Sequence, residues 1–194
     1  MVTIIKKPVS DTAGTSTAIG GTMSKTVTFL VNSTPERPAL GYGDYVVVDS
    51  DEALLFGSHA STCPNPYRLN DHGSAVPWKL IYDWIADGEY QWQCIQHDKY
   101  GKCLLINGGG EVASRNPVKN KDGSVFTGVF VHVGGHNSKN PDWRGSAGCP
   151  TIPRDYWPEF IACFEIGESG KLIVKPFMQG LGDVTSNVLK RGKR

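Results

Sequence analysis

Residues 124–133 read SVFTGVFVHV. In an extended backbone Val129, Val131 and Val133 share one face, and Phe130 and His132 share the other. The stretch predicts one long strand that carries a histidine at its end. Downstream, GGHNSKNPDWRGSAG (134–148) is a polar, glycine-bearing loop that leads to Cys149. In DYWPEFIACFEIG (155–167), Trp157, Phe160, Ile161 and Phe164 fall at i, i+3, i+4 and i+7. That spacing predicts a helix within 154–166, buried through Phe160 and Phe164 and ended near Gly167. KLIVKPF (171–177) predicts a closing strand.

Working upstream, EYQWQCIQHDKYGKCLLINGGG (89–110) predicts a hairpin that turns at Asp98 to Gly101 and stops at three glycines. TVTFLVN (26–32) and GYGDYVVVDS (41–50) predict two more strands. SHASTCPNPYRLNDHGSAVP (58–77) reads as a long loop. WKLIYDWIA (78–86) is compatible with a strand or a short helix, and periodicity does not decide between them. Together these elements predict a β-rich α+β domain. High glycine and proline content, 23 and 12 of 194 residues, supports strands and turns over a helical bundle.

The length predicts one domain with tails. SDTAGTSTAIGGTMSK (10–25) is small, polar and aperiodic, so residues 1–25 are expected to form an arm, 26–178 the domain, and 179–194 a basic tail. The formal charge of +1 lacks the basic excess of a protein bound mainly to nucleic acid or an anionic membrane. No apolar run reaches the roughly 18 residues of a transmembrane helix. The N-terminus lacks the pattern of a secretory signal, which implies synthesis in the cytoplasm. Five cysteines are too few for a disulfide scaffold, and the odd count leaves at least one unpaired within the chain. Cys94 and Cys103 flank the hairpin, but their disulfide state does not follow from sequence.

The stretch from His132 to Cys149 carries the chemistry. Cys149 ends Ser146-Ala147-Gly148-Cys149, a turn of small residues before the helix. Small neighbours admit a substrate carbonyl close to the backbone, and successive N–H groups there form an oxyanion hole. A histidine beside a cysteine activates it as a thiolate. Nucleophile, base and oxyanion donors together describe acyl transfer. The competing structural reading is a buried, inert Cys149 and a satisfied strand histidine.

V-F-V-H-V-G-G followed by R-G-S-A-G-C-P resembles the catalytic motif of the L,D-transpeptidase (YkuD-type) family: a strand-borne His, a variable loop, then Ser/Thr-x-Gly-Cys. The loop here has 16 residues, 133 to 148. Ala147 and Pro150 stand where the common form has His and Ile-Arg, so Gly-Cys-Pro with Thr151-Ile152-Pro153 is similar to a divergent branch. Asp87-Gly88-Glu89-Tyr90 resembles a Gly-x-Tyr turn of related domains. The resemblance implies an L,D-transpeptidase-like mixed β-sheet or sandwich with a helix after the catalytic Cys. It implies Cys149 as nucleophile, His132 as base, Ser146 as the group that orients it, and the N–H groups of Gly148 and Cys149 as the oxyanion hole. It further implies peptidoglycan stem peptides as partners, attacked after the L-centre of meso-diaminopimelate with release of D-Ala, and no cofactor. Arg144 or Arg154 would replace the missing arginine. Gly134, His136, Trp143, Arg144 and Arg154 are candidate substrate-binding residues.

Other readings stay open. One is a catalytically inactive structural component of a virion or secretion machine, with arm and tail as assembly contacts. A second is a zinc hydrolase using His132, His136 and Cys149. An active enzyme without a signal peptide would reach the periplasm or cell wall by phage lysis, a virion or a secretion machine. His59, His72 and His97 are expected as solvated surface residues, and Cys163 as core.

Overall fold

The computed structural model describes residues 24–32, 42–65, 67–69 (backbone), 72–77, 80–116, 118–119, 123–135 and 145–177. The expected arm at 1–25, apart from its last two residues, and the tail at 179–194 lie outside them.

Among the described residues the fold is β-rich with one short α-helix. Its strands are β1 (Lys25–Val31), β2 (Asp44–Ser50), β3 (Leu54–Ala60), β4 (Tyr67–Leu69), β5 (Ala75–Pro77), β6 (Gly88–His97), β7 (Gly101–Ile106), β8 (Val112–Ala113), β9 (Val125–Phe126), β10 (Phe130–Val133), β11 (Thr151–Ile152) and β12 (Ser169–Pro176). Eight form one mixed sheet, ordered β11-β10-β7-β6-β12-β1-β2-β3. β1/β12 and β10/β11 are parallel, and the other neighbours are antiparallel. The two edges meet where Ser61 and Thr151 exchange backbone bonds of 2.9 and 2.7 Å, so the sheet is nearly closed. Closure of this kind removes the exposed edge that would otherwise invite association.

Period-two patterning builds the strands. In β2, Asp44, Val46, Val48 and Ser50 are buried while Tyr45, Val47 and Asp49 are half-buried. In β6, Tyr90, Trp92 and Cys94 are buried against exposed Glu89, Gln91 and Gln93. The hairpin turns at the expected place, with Gly101 at φ +68°. The helix α1 (Trp157–Ala162) lies inside the expected window and buries Phe160. Phe160 packs edge-on against Phe56 at 5.5 Å, and Phe164 meets Trp92 at 5.0 Å. Phe164, fully buried, lies past the helix end, because the helix stops at Cys163 and not near Gly167.

Three expectations are corrected. The single strand at 124–133 is two: Gly128 adopts φ +66° and breaks it, so β9 pairs with β8 and β10 with β7. The long loop at 58–77 contains the end of β3 and the β4–β5 hairpin; β3 forms because β2 offers it an antiparallel ladder, unbroken from Asp44 to Val48. Residues 82–85 are neither strand nor α-helix. Trp84 and Ile85 are fully buried there, with Ile85 bridged to Ser114, so tertiary packing sets their conformation.

A buried polar knot holds the closing segment. Asp44 accepts from Asn32 N (2.9 Å), Thr62 N (2.8 Å) and Thr62 Oγ1 (2.7 Å). Arg115 Nη2 donates to Thr62 Oγ1 at 2.9 Å, and the guanidinium lies 4.2 Å over the Trp84 ring. Burial pulls Arg115 below its ordinary pKa, while Asp87 and Asp44 hold it up. Residues 61–65 therefore close the sheet and, through Asn65 N to Ser146 O (3.0 Å), brace the turn before Cys149. No helix of the described residues is long and apolar enough to cross a membrane.

Candidate active site

β10 delivers His132 and the turn before β11 delivers Cys149. His132 pairs with Thr151 across the parallel β10–β11 ladder. Carried back two residues, that register sets Cys149 beside Phe130, and the Phe130 N–H points at Cys149 Sγ at 3.5 Å. His132 N donates to Pro150 O at 3.2 Å. Cys149 thus lies beside Phe130, two residues before His132 on β10, and sheet pairing, not the loop between them, sets their positions. His132 is 2% exposed and Cys149 is half-buried.

The Nδ1 atom of His132 lies 2.8 Å from Val133 O. A carbonyl only accepts, so Nδ1 carries the proton and Nε2 of the neutral ring keeps its lone pair. Burial pulls the imidazole below the ordinary 6.5, opposed by the Val133 bond and aided by the Lys99 ammonium. Burial pushes the Cys149 thiol up, while the Phe130 N–H and Lys99 pull it partly back. At neutral pH the resting pair is therefore a thiol and a neutral imidazole. A thiol in this state becomes a nucleophile only where a base takes its proton as the bond forms.

Ser146 builds the turn. Its hydroxyl donates to Cys149 O at 2.6 Å and accepts from Gly148 N at 3.1 Å. The resemblance assigned Ser146 to orient His132; here the Val133 carbonyl makes that bond, because it lies on the histidine's own strand. The Gly148 N–H, expected in the oxyanion hole, is engaged by Ser146, whereas the Cys149 N–H has no such bond among the described residues. Gly148 has φ +133°, and a Cβ there would stand 2.6 Å from Asp83 O, so only glycine fits.

Of the other candidates, Gly134 is buried and donates to Ile152 O at 2.7 Å; a Cβ there would collide with the Tyr42 hydroxyl. It shapes the exit of β10. Arg154 is exposed on the turn before α1. His136, Trp143 and Arg144 lie outside the described residues, and so does the zinc set that needs His136. Among the described residues no three His, Cys, Asp or Glu side chains converge as metal ligands.

The structure adds residues that sequence reading assigned elsewhere. His97, expected to be solvated, is half-buried and lies 4.9 Å from the Phe130 ring; its Nδ1 accepts from Lys99 N at 3.1 Å. Tyr100 stacks on His132 with centroids 4.4 Å apart and planes 13° apart. Lys99 Nζ lies 5.1 Å from the Tyr100 centroid. The Asp98–Gly101 turn of the hairpin therefore forms one wall of the site. Cys103 is buried on the same face: Phe130 opposes Leu105, which carries Cys103 opposite His132. Burial, then Cys94 and Cys149, push its thiol up to about 11. β10 separates Cys103 from Cys149, and two strand spacings, about 9–10 Å, exceed the ~7 Å that a disulfide spans. Cys94 and Cys103 emerge on opposite faces of the hairpin, since Cys94 opposes Leu104 and Cys103 opposes Ile95; both are free thiols. Cys163 is half-buried at the end of α1.

Searches with protein-family models, among curated proteins and among solved structures found no match to this chain.

Proposed function

We propose that the protein is a cysteine acyl transferase or peptidase of the L,D-transpeptidase type, acting on peptidoglycan stem peptides. One observation carries the reading: His132 commits Nδ1–H to Val133 O, which leaves Nε2 as a base on the strand beside the half-buried Cys149. Nε2 takes the Cys149 proton as Sγ attacks the carbonyl of the L-centre of meso-diaminopimelate. The Cys149 N–H faces the developing oxyanion. The imidazolium returns its proton to the departing D-Ala amine, and an amine or water then cleaves the thioester. Tyr100 keeps the ring in register by stacking on it.

Incubating the protein with tetrapeptide muropeptides and reading D-Ala release by mass spectrometry tests this. Cys149→Ala should abolish release, and His132→Ala nearly so, since the pair acts as a unit. Iodoacetamide should inhibit and a chelator should not. Activity that survives Cys149→Ala sinks the reading; chelator inhibition favours the zinc hydrolase. Complete inertness, with the protein retained in a particle, favours the structural component.

A further inference from the structure

We propose that Thr151 is a positioning residue for His132: its hydroxyl accepts the Nε2–H of the ring once His132 has taken the Cys149 proton, and so stabilises the charged pair. The inference rests on the reading above and adds to it a residue that acts through the base. In the parallel β10–β11 ladder His132 stands directly opposite Thr151. Residues paired in this way project from the same face of a sheet, with Cβ atoms about 5 Å apart. At the preceding step of the ladder the Phe130 N–H points at Cys149 Sγ. The hydroxyl therefore lies beside the base and two residues on from the nucleophile.

Thr151 is fully buried, and its Oγ1 has no hydrogen-bond partner. Its backbone is fully used on the other side: the N–H donates to Ser61 O at 2.7 Å, and the C=O accepts from Ser61 N at 2.9 Å. The Ser61 hydroxyl is itself engaged with the Cys63 backbone. A buried hydroxyl without a bond is costly, and a valine of the same shape would avoid that cost. The neutral imidazole has no N–H to give it, because its one donor goes to Val133 O. Proton transfer changes this. The S–H bond of Cys149 breaks, the electron pair stays on sulfur, and an Nε2–H bond forms. The ring then has a second donor, and Thr151 Oγ1 has lone pairs free to accept it. A bond from a charged donor is roughly twice as strong as a neutral one, and rotation about χ1 aims the oxygen.

The other titratable groups around the ring do not supply this acceptor. Tyr100 lies plane to plane with the imidazole, which keeps its hydroxyl out of line with an in-plane N–H. His97 stacks on Tyr100 at 5.0 Å, and Lys99 Nζ lies over the same ring. Cys103, opposite His132 on β7, is a thiol that burial keeps protonated. Once Sγ has bonded the carbonyl carbon it is no longer an anionic acceptor, and Thr151 holds Nε2–H until the leaving amine takes the proton.

The pH profile of Cys149 alkylation by iodoacetamide, read by peptide mass spectrometry with Cys163 as internal control, tests this without turnover. Thr151→Val should move the profile to higher pH and slow alkylation at pH 7 by on the order of three- to tenfold. The plateau at high pH, where the thiolate forms without the base, should stay the same. Thr151→Ser should keep the profile of the parent. In His132→Gln, adding Thr151→Val should shift nothing further, because the hydroxyl acts through the imidazole. The unfolding temperature of Thr151→Val should rise or stay level, since the resting fold loses an unbonded hydroxyl. A lower unfolding temperature with an unshifted profile means that the hydroxyl is bonded in the resting fold, and overturns the proposal. A shift that persists in His132→Gln overturns it too. A shifted profile without turnover of any stem peptide keeps the role of Thr151 and discards the peptidoglycan reading. Turnover with an unshifted profile overturns the proposal and leaves that reading standing.

Discussion

Arg115 lies 4.2 Å over the Trp84 ring and Lys99 lies 5.1 Å over the Tyr100 ring, yet their surroundings are opposite. Arg115 is held by Thr62 and Asp87, and the Thr62 it grips is itself held by Asp44. Lys99 is exposed and has no carboxylate partner among the described residues. A cation removed from water must be paired, so its partners become part of the folding machinery. A cation left in water costs the fold nothing and stays available to a ligand. The structural knot reaches the candidate site through the Asn65 N to Ser146 O bond, which braces the turn before Cys149.

Breaking the buried side should have the largest effect. Asp44→Ala strips three donors of their acceptor and removes a negative charge that supports Arg115. Losing one partner of a buried charged network costs about 3–5 kcal/mol. At roughly 2–4 °C per kcal/mol for a chain of this size, thermal unfolding should fall by on the order of 10 °C. Lys99→Met should shift stability by only about 0.5 kcal/mol. Equal losses would erase the contrast between the two cations.

Gly148→Ala falls between these extremes and sharpens where fold and site join. The added Cβ meets the Asp83 carbonyl in a backbone region closed to L-residues. A cost of about 1–3 kcal/mol is expected, with relief only by moving the Cys149 turn. Denaturant unfolding should show the loss, and Cys149 alkylation should change in rate while Cys163 does not. A variant with unaltered stability and alkylation would mean that the turn is not constrained as its geometry implies.

The smallest effect is a pH dependence. Burial lowers the folded pKa of His132 below its ordinary 6.5, so the unfolded chain binds the proton more readily. The resulting stabilisation is present above 6.5 and is lost as pH falls through the folded value. Denaturant unfolding of the protein and of His132→Gln at pH 7.5 and pH 5 checks the sign. The advantage of the histidine over glutamine should shrink at the lower pH. An advantage that grows on acidification would mean that the imidazole is held charged in the fold.

Local pattern was enough for several elements. Alternation in β2 and β6, the Asp98–Gly101 turn and the apolar stripe of α1 are short-range properties that appear in the chain as written. Cys149 and His132 were legible for the same reason: each sits in a motif a few residues long. The break at Gly128 was harder to foresee, because a glycine in an apolar strand signals a bend only when both flanks have partners to turn towards.

By itself, then, the sequence determined a β-rich chain, its main strands, the helix α1 and the two residues of the candidate pair. Tertiary structure alone decided what surrounds that pair. Tyr100, Lys99 and His97 reach the site because β7 pairs with β10, a register between segments about 30 residues apart that no local spacing encodes. The same holds for Val133 in place of Ser146 as the partner of His132, and for the closure of β3 onto β11. Each depends on long-range hydrogen bonding, whose partners are chosen by the packing of the whole sheet and not by neighbouring residues.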